Sequence, residues 1–183
     1  MRMRCRWTLV AAVAALAFLG AGRLDAQGRH LERKGFFIGG GMGYGGLDIT
    51  CGGCDREGSV SGFFHLGGAV SPQLLLGVES NGWYKSLSGT SVTMGTLTFT
   101  AIGYPSKAAN FFVRGGVGAG VLSADAGALG SDSETGFGAS LGLGYDLPIG
   151  GRTAITPFTN YFLGTFSGGG ASTIQVGLGI NAY

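Results

Sequence analysis

The sequence has 183 residues, with 12% charged and 45% hydrophobic side chains and 39 glycines. A chain of this length is expected to form one domain. Glycine without a Gly-X-Y period, beside only four prolines, excludes collagen, and 11% aromatic residues spread along the chain exclude disorder.

The N-terminus reads as an export signal. Arg2, Arg4 and Arg6 form a basic start, an apolar run follows from Trp7 to Gly20, and Leu24-Asp25-Ala26 offers a cleavage site. A retained membrane helix is the competing reading, but Trp7 to Gly22 is short beside the roughly 20 apolar residues a spanning helix needs. The predicted organisation is a signal peptide over 1–26, a polar linker over 27–34 and a β-barrel over 35–183. Cleavage removes Arg2, Arg4, Arg6, Arg23 and Asp25, leaving 8 basic and 9 acidic residues, so the net charge of +2 becomes −1. That balance carries no nucleic-acid footprint.

Cys5 leaves with the signal, and Cys51 and Cys54 remain as Cys-Gly-Gly-Cys between Asp48 and Asp55. In an exported chain this pair predicts a small disulfide loop. A redox site would want a helix start, and a zinc site two more ligands. His65 falls within the following strand.

Eight segments alternate between large apolar and small residues. Gly35 to Ile49 sets Phe36, Ile38, Met42 and Tyr44 against Gly39, Gly41, Gly43 and Gly45. Ser59 to Val70 sets Val60, Phe64, Leu66 and Val70 against Ser61, Phe63, His65 and Gly67; Leu74 to Ser86 sets Leu74, Leu76, Val78 and Tyr84 against Glu79, Asn81, Trp83 and Lys85. In Ser91 to Tyr104, Val92 and Met94 have one parity and Leu97, Phe99 and Ala101 the other, which predicts a bulge near Gly95.

The clearest alternation lies in the fifth and sixth segments, within Asn110 to Pro148. Phe111, Val113, Val117, Ala119 and Val121 oppose Arg114 and glycines, and Phe137, Ala139, Leu141, Leu143 and Tyr145 oppose glycines and Ser140. Thr153 to Phe166 places Ile155, Pro157, Tyr161 and Leu163 opposite Asn160, with Pro157 expected at a strand end or a break in the ladder. Ser172 to Tyr183 places Ile174, Val176, Leu178 and Ile180 opposite Thr173, Gln175, Gly177 and Gly179.

A period of two puts successive side chains on opposite faces of a strand. One face is apolar and the other is glycine, serine and a few ions, so the apolar face is expected to meet lipid. Lipid cannot satisfy open backbone groups, so such strands must close. From Thr153 to Tyr183 no residue is charged, and Pro157 and Gly168-Gly169-Gly170 argue against a helix there. The prediction is an all-β fold, a single eight-stranded antiparallel up-and-down transmembrane β-barrel. Compact turns follow the even segments, and loops bearing glycine, serine or acids follow the odd ones, among them Ser123 to Glu134.

With its signal, eight alternating segments, the Tyr104-Pro105 turn, the run Thr156 to Tyr161 and a terminal aromatic, the chain resembles the small outer-membrane β-barrel proteins of the OmpA-like transmembrane type. The resemblance implies a bacterial outer-membrane location, and contact with outer-membrane lipids. It also implies partnership with the barrel-assembly machinery and periplasmic chaperones, with Tyr183 as the assembly signal. Tyr183 shares the parity of Gly177 and Gly179 rather than that of Leu178 and Ile180. A monomer is expected, with no nucleic acid and no cofactor.

The pleat assigns Glu79, Lys85, Arg114, His65, Asn81 and Asp146 to the lumen. An eight-stranded barrel is just wide enough for side chains to fill, and a buried ion must be paired. Arg114 is therefore expected to neutralise Glu79 with Lys85 nearby, forming a plug or, alternatively, a gate in a narrow pore. The inward glycines leave room either for water or for Phe63, Trp83, Phe112 and Arg114 to pack across the lumen.

Signals for chemistry are weak. Gly41-x-Gly43-x-x-Gly46 has the dinucleotide spacing without a following helix. His30 lies in the linker, and His65 is followed by Leu66-Gly67, whereas barrel deacylases of lipid A carry His-x-Ser. The loop acids Asp48, Asp55, Glu57, Asp125, Asp132 and Glu134 read as solvated rim charges, because a calcium site needs about 6–8 converging oxygens. The expected role is non-catalytic, structural or narrow-pore. A secreted lipocalin-like barrel holding an apolar ligand and a lipid A-modifying enzyme are the alternatives.

Overall fold

The computed structural model describes residues 31–49, 56–87, 89–127 and 130–183. Residues 1–26 and the first half of the expected linker, including His30, lie outside the described residues, as do Cys51, Cys54 and Asp55. The described chain is a sequence of strands: β1 (Gly35–Ile49), β2 (Glu57–Ser71), β3 (Leu74–Leu87), β4 (Thr90–Gly103), β5 (Phe111–Asp125), β6 (Ser131–Tyr145), the short β7 (Leu147–Gly150), β8 (Thr153–Phe166) and β9 (Gly169–Ala182). Each pairs antiparallel with its neighbour, and β1 pairs with β9 from Ile38↔Ala182 to Ile49↔Ala171. β6 and β7 occupy one position in the wall, both pairing with β8, so nine strands make a closed eight-stranded barrel.

The alternation explains the closure. Phe137, Met42, Val117, Leu178 and Leu141 point outward and are among the most exposed apolar side chains of the molecule. A soluble carrier would need this face turned inward, so the lipocalin-like reading does not fit the fold. Among the described residues, the charged side chains on the outward parity of the strands are Asp48 and Asp125, both at strand ends.

Three sequence expectations are corrected. First, β4 has no bulge at Gly95. Its pairing runs one to one from Thr90 to Gly103 against β3 and from Ser91 to Gly103 against β5. Met94 is buried in the lumen on the parity of Thr96, Thr98 and Thr100, so the parity change reflects an apolar residue inside rather than a kink. Second, the expected loop from Ser123 to Glu134 is mostly strand, since β5 reaches Asp125 and β6 begins at Ser131. At about 3.3 Å per residue and a tilt near 40°, strands of this length rise well beyond an apolar band of about 25 Å. Their ends are therefore polar without ceasing to be strands. Third, the final residues of the expected linker are not peripheral, because Leu31 and Arg33 are buried.

Pro157 sits where the ladder breaks. β8 pairs with β6 up to Gly144↔Phe158 and resumes with β7 at Leu147↔Ile155. Asp146 lies in the gap, its N–H bonded instead to the Asn110 carbonyl at 2.9 Å. A residue without an N–H costs nothing opposite such a break.

Inward glycines make room for rings and ions. A Cβ on Gly41 would lie 2.6 Å from the Phe63 ring, one on Gly144 2.2 Å from Phe112, one on Gly45 3.0 Å from Trp83, and one on Gly142 2.7 Å from Arg114 Nε. Of the two uses open to these glycines, the barrel packs large side chains across the lumen.

Candidate functional site

The lumen is layered. At the end that carries the short turns and the C-terminus, Leu31, Phe37, Leu75, Ile102, Phe112, Ala154 and the rings of Tyr104 and Tyr183 form one apolar cluster. At the loop end, Leu47, Trp83, Met94, Phe162, Phe166 and Ala171 form another. Polar and charged side chains lie between them. Each layer follows from position along the strand, because equal heights on neighbouring strands bring residues far apart in sequence to one level.

The centre of the polar layer is Glu79, fully buried on β3. Arg114 on β5 donates from Nη1 to Glu79 Oε2 at 2.6 Å, and Asn81 Nδ2 donates to Oε1 at 3.0 Å. His65 on β2 places Nδ1 3.5 Å from Oε2, and its other ring nitrogen meets Asn181 Oδ1 at 2.9 Å. The Arg114 guanidinium lies 4.7 Å from the centre of the Phe63 ring and 5.4 Å from that of Phe158. A charge held this way is stabilised by the carboxylate and by ring faces rather than by water. The predicted Glu79–Arg114 pair is thus present, with His65 and Asn81 attached to it.

Lys85 does not join this group. It shares the inward parity, but it stands six residues along β3 from Glu79, roughly 20 Å of strand at about 3.3 Å per residue. There it pairs with Glu57 at the loop-end rim, where the Lys85 side chain is 20% and the Glu57 side chain 56% exposed. Asp48 pairs similarly with Arg56 at 3.4 Å. Glu134 accepts from the Gly168 N–H at 3.0 Å, Asp125 caps Gly127 N at 2.7 Å, and Asp132 accepts from Ser133 N at 2.8 Å. No cluster suited to a metal ion occurs among the described residues.

Asp146 is buried as expected, but in a second polar group at the turn end. Its Oδ2 accepts from Tyr183 at 2.6 Å and Tyr104 at 2.8 Å, and its Oδ1 from Thr156 at 2.7 Å and Asn181 at 3.3 Å. Arg33, reaching in from the segment before β1, lies 3.6 Å from Oδ2 and donates to the Ala109 carbonyl at 2.9 Å. Its guanidinium stacks 3.6 Å above the Tyr104 ring. Burial, then the Asp146 charge, pushes both the Tyr104 and the Tyr183 phenols well above the usual tyrosine range. Asn181 connects the two groups, facing His65 with its oxygen and Asp146 with its nitrogen.

Sequence reasoning missed Arg33, Tyr104, Thr156 and Asn181. The parity of Thr156 and Asn181 was available, and Leu31 and Arg33 keep the odd parity of the inward residues of β1. Tyr183 faces the lumen, as its parity indicated.

No protein-family model matches the sequence, and no curated protein matches it either. Solved structures do match in shape. Neisserial surface protein A aligns with 12% identity and a TM-score of 0.66 over 80% of this chain and 96% of its own. Ail, the attachment invasion locus protein of Yersinia pestis, aligns with 12% identity and a TM-score of 0.56 over 82% and 99%. The outer membrane protein OprG of Pseudomonas aeruginosa aligns with 13% identity and a TM-score of 0.50 over 84% and 99%. The chain therefore has the closed up-and-down fold of small eight-stranded outer-membrane β-barrels.

Proposed function

We propose that this protein is a non-catalytic component of a bacterial outer membrane, held in lipid by its apolar wall and closed along its axis by its own side chains. One observation carries this reading. The Glu79–Arg114 pair lies between two apolar clusters, one at each end of the lumen. An ion pair in such a place stabilises the barrel only as a pair, because either charge alone would be buried without compensation. Leu31 and Arg33 add a strap across the turn end, which faces the periplasm in this reading, since short turns do so in bacterial barrels.

The same reading makes residues 1–26 a cleaved signal and Cys51–Cys54 a disulfide in the stretch of sequence between β1 and β2. Tyr183 is read by the assembly machinery before folding, since in the barrel its hydroxyl is engaged by Asp146. Both ring nitrogens of His65 face other lumen side chains, which favours a packing role over catalysis.

Planar-bilayer recording tests the closed lumen. The wild-type barrel and Arg114→Ala are both expected to stay silent. A steady conductance in the wild type that Arg114→Ala enlarges would replace the plug by a gated narrow pore. That second reading is favoured by Arg114 Nε and Nη2, which have no protein partner. Membrane fractionation with heat-modifiable gel migration tests the location, and recovery of the protein in the periplasm or medium would overturn it.

A further inference from the structure

A cavity of about 10 Å³, counted as space open to the centre of a water molecule, lies between the polar layer and the loop-end apolar cluster. Asn81, Met94, Thr96, Asn160, Phe162 and Gln175 line it. Three of these residues carry buried polar atoms that no protein group satisfies: Asn160 Oδ1, Gln175 Oε1 and Thr96 Oγ1. Each of the three residues is more than nine-tenths buried. From these observations we propose that the lumen holds a specific site for one water molecule, bound by Asn160, Gln175 and Thr96.

The pattern of donors and acceptors argues for water. The Glu79 carboxylate accepts, so Asn81 turns its Nδ2 toward it and presents its oxygen to the far side of the lumen. Asn160 donates to that oxygen from Nδ2 at 3.1 Å, which leaves its own Oδ1 free. The orientation of Asn160 is thus set by Glu79 through one intervening amide. Gln175, the cross-strand partner of Asn160, donates Nε2 to the Gly82 carbonyl at 3.4 Å and likewise leaves Oε1 free. Two acceptors without protons cannot satisfy each other. Water brings two protons for them and a lone pair for the Thr96 hydroxyl. The volume agrees, since one water needs about 10–15 Å³ by this measure and takes 2–4 polar partners. A buried amide oxygen without a partner is costly, so the site has reason to stay filled.

The inference rests on the closed lumen proposed above, since a conducting barrel would hold a continuous file of waters. It is tested by a crystal structure of the full barrel at a resolution that shows ordered waters. The test includes ¹⁷O relaxation dispersion in detergent on the wild type, Gln175→Met and Thr96→Val. One peak at about 2.7–3.2 Å from Asn160 Oδ1, Gln175 Oε1 and Thr96 Oγ1 is expected. Each variant should lose the relaxation contribution of one long-lived water, and either variant suffices if the other does not fold. An empty cavity would overturn the site, as would a peak with the shorter contacts of a bound cation or an unchanged relaxation profile in both variants. A file of waters running on to both mouths would overturn the closed lumen as well as the single site.

Discussion

Arg114 and Glu79, on strands separated by β4, meet at 2.6 Å inside the barrel with both side chains almost fully buried. Removing one partner strands the other charge. Arg114→Ala and Glu79→Ala are each expected to lower stability by about 3–5 kcal/mol. The double replacement Glu79→Leu with Arg114→Met is expected to recover most of that loss. Urea titration followed by heat-modifiable gel migration in detergent reads all three. Additive losses in the double variant would mean that the two side chains are not energetically coupled.

Lys85 and Glu57 make the contrasting case. Their pair is solvated at the rim, and such pairs contribute about 0–1 kcal/mol. Lys85→Ala should leave the urea midpoint nearly unchanged. A loss comparable to that of Arg114→Ala would return Lys85 to the central ion network.

The outer wall gives a direct test of lipid contact. Val117 is 65% exposed and sits mid-strand on β5. Val117→Lys should therefore cost about 2–4 kcal/mol in a bilayer, as lysine does at the midplane of a barrel wall. The same substitution on a wall facing water would be nearly neutral, so unfolding measured in lipid vesicles distinguishes the two environments.

The tyrosines at the turn end predict a response to base. Because the folded-state phenols of Tyr104 and Tyr183 titrate above their unfolded value, the folded protein holds more protons than the unfolded chain once pH exceeds about 10. Their stabilising contribution is complete below that pH and declines as pH rises beyond it. Double replacement of Tyr104 and Tyr183 by phenylalanine should flatten the alkaline limb of a stability-versus-pH curve. Absorbance titration of the folded wild type should show two phenols that ionise only on unfolding.

Arg33 fastens the strap. Arg33→Ala removes the contacts to Asp146, Ala109 and Tyr104 and should raise hydrogen exchange over residues 31–34 while leaving the β1–β9 ladder protected. Uniform exchange through β1 would show instead that the strap and the barrel open together.

The wall was legible from residue type alone, because period-two alternation carries both face and closure. Phe36, Met42, Val117 and Phe137 declare their side without reference to any partner. Glu79 and Arg114 could be paired because a small lumen leaves a buried ion few choices. Height along the strands is what alternation cannot supply. Lys85 and Glu79 share a parity and differ by most of a strand's rise, so the expected triplet divided. Met94 misled for a related reason, since an apolar residue capping the lumen mimics a change of face. Arg33 was missed because polar composition marked its segment as a linker, although its stacking on Tyr104 is what draws it inside.

Every seam but one joins segments adjacent along the chain, and the exception is β1 with β9. Those seven seams can zip as consecutive hairpins, at the low entropic cost of short excursions. The last must wait until the other strands are in place, and it brings together the two most distant stretches of the domain. Non-local pairings of this kind set folding speed, so assembly should be limited by this one event. Until it occurs, the first strand carries an unsatisfied edge that has to be guarded.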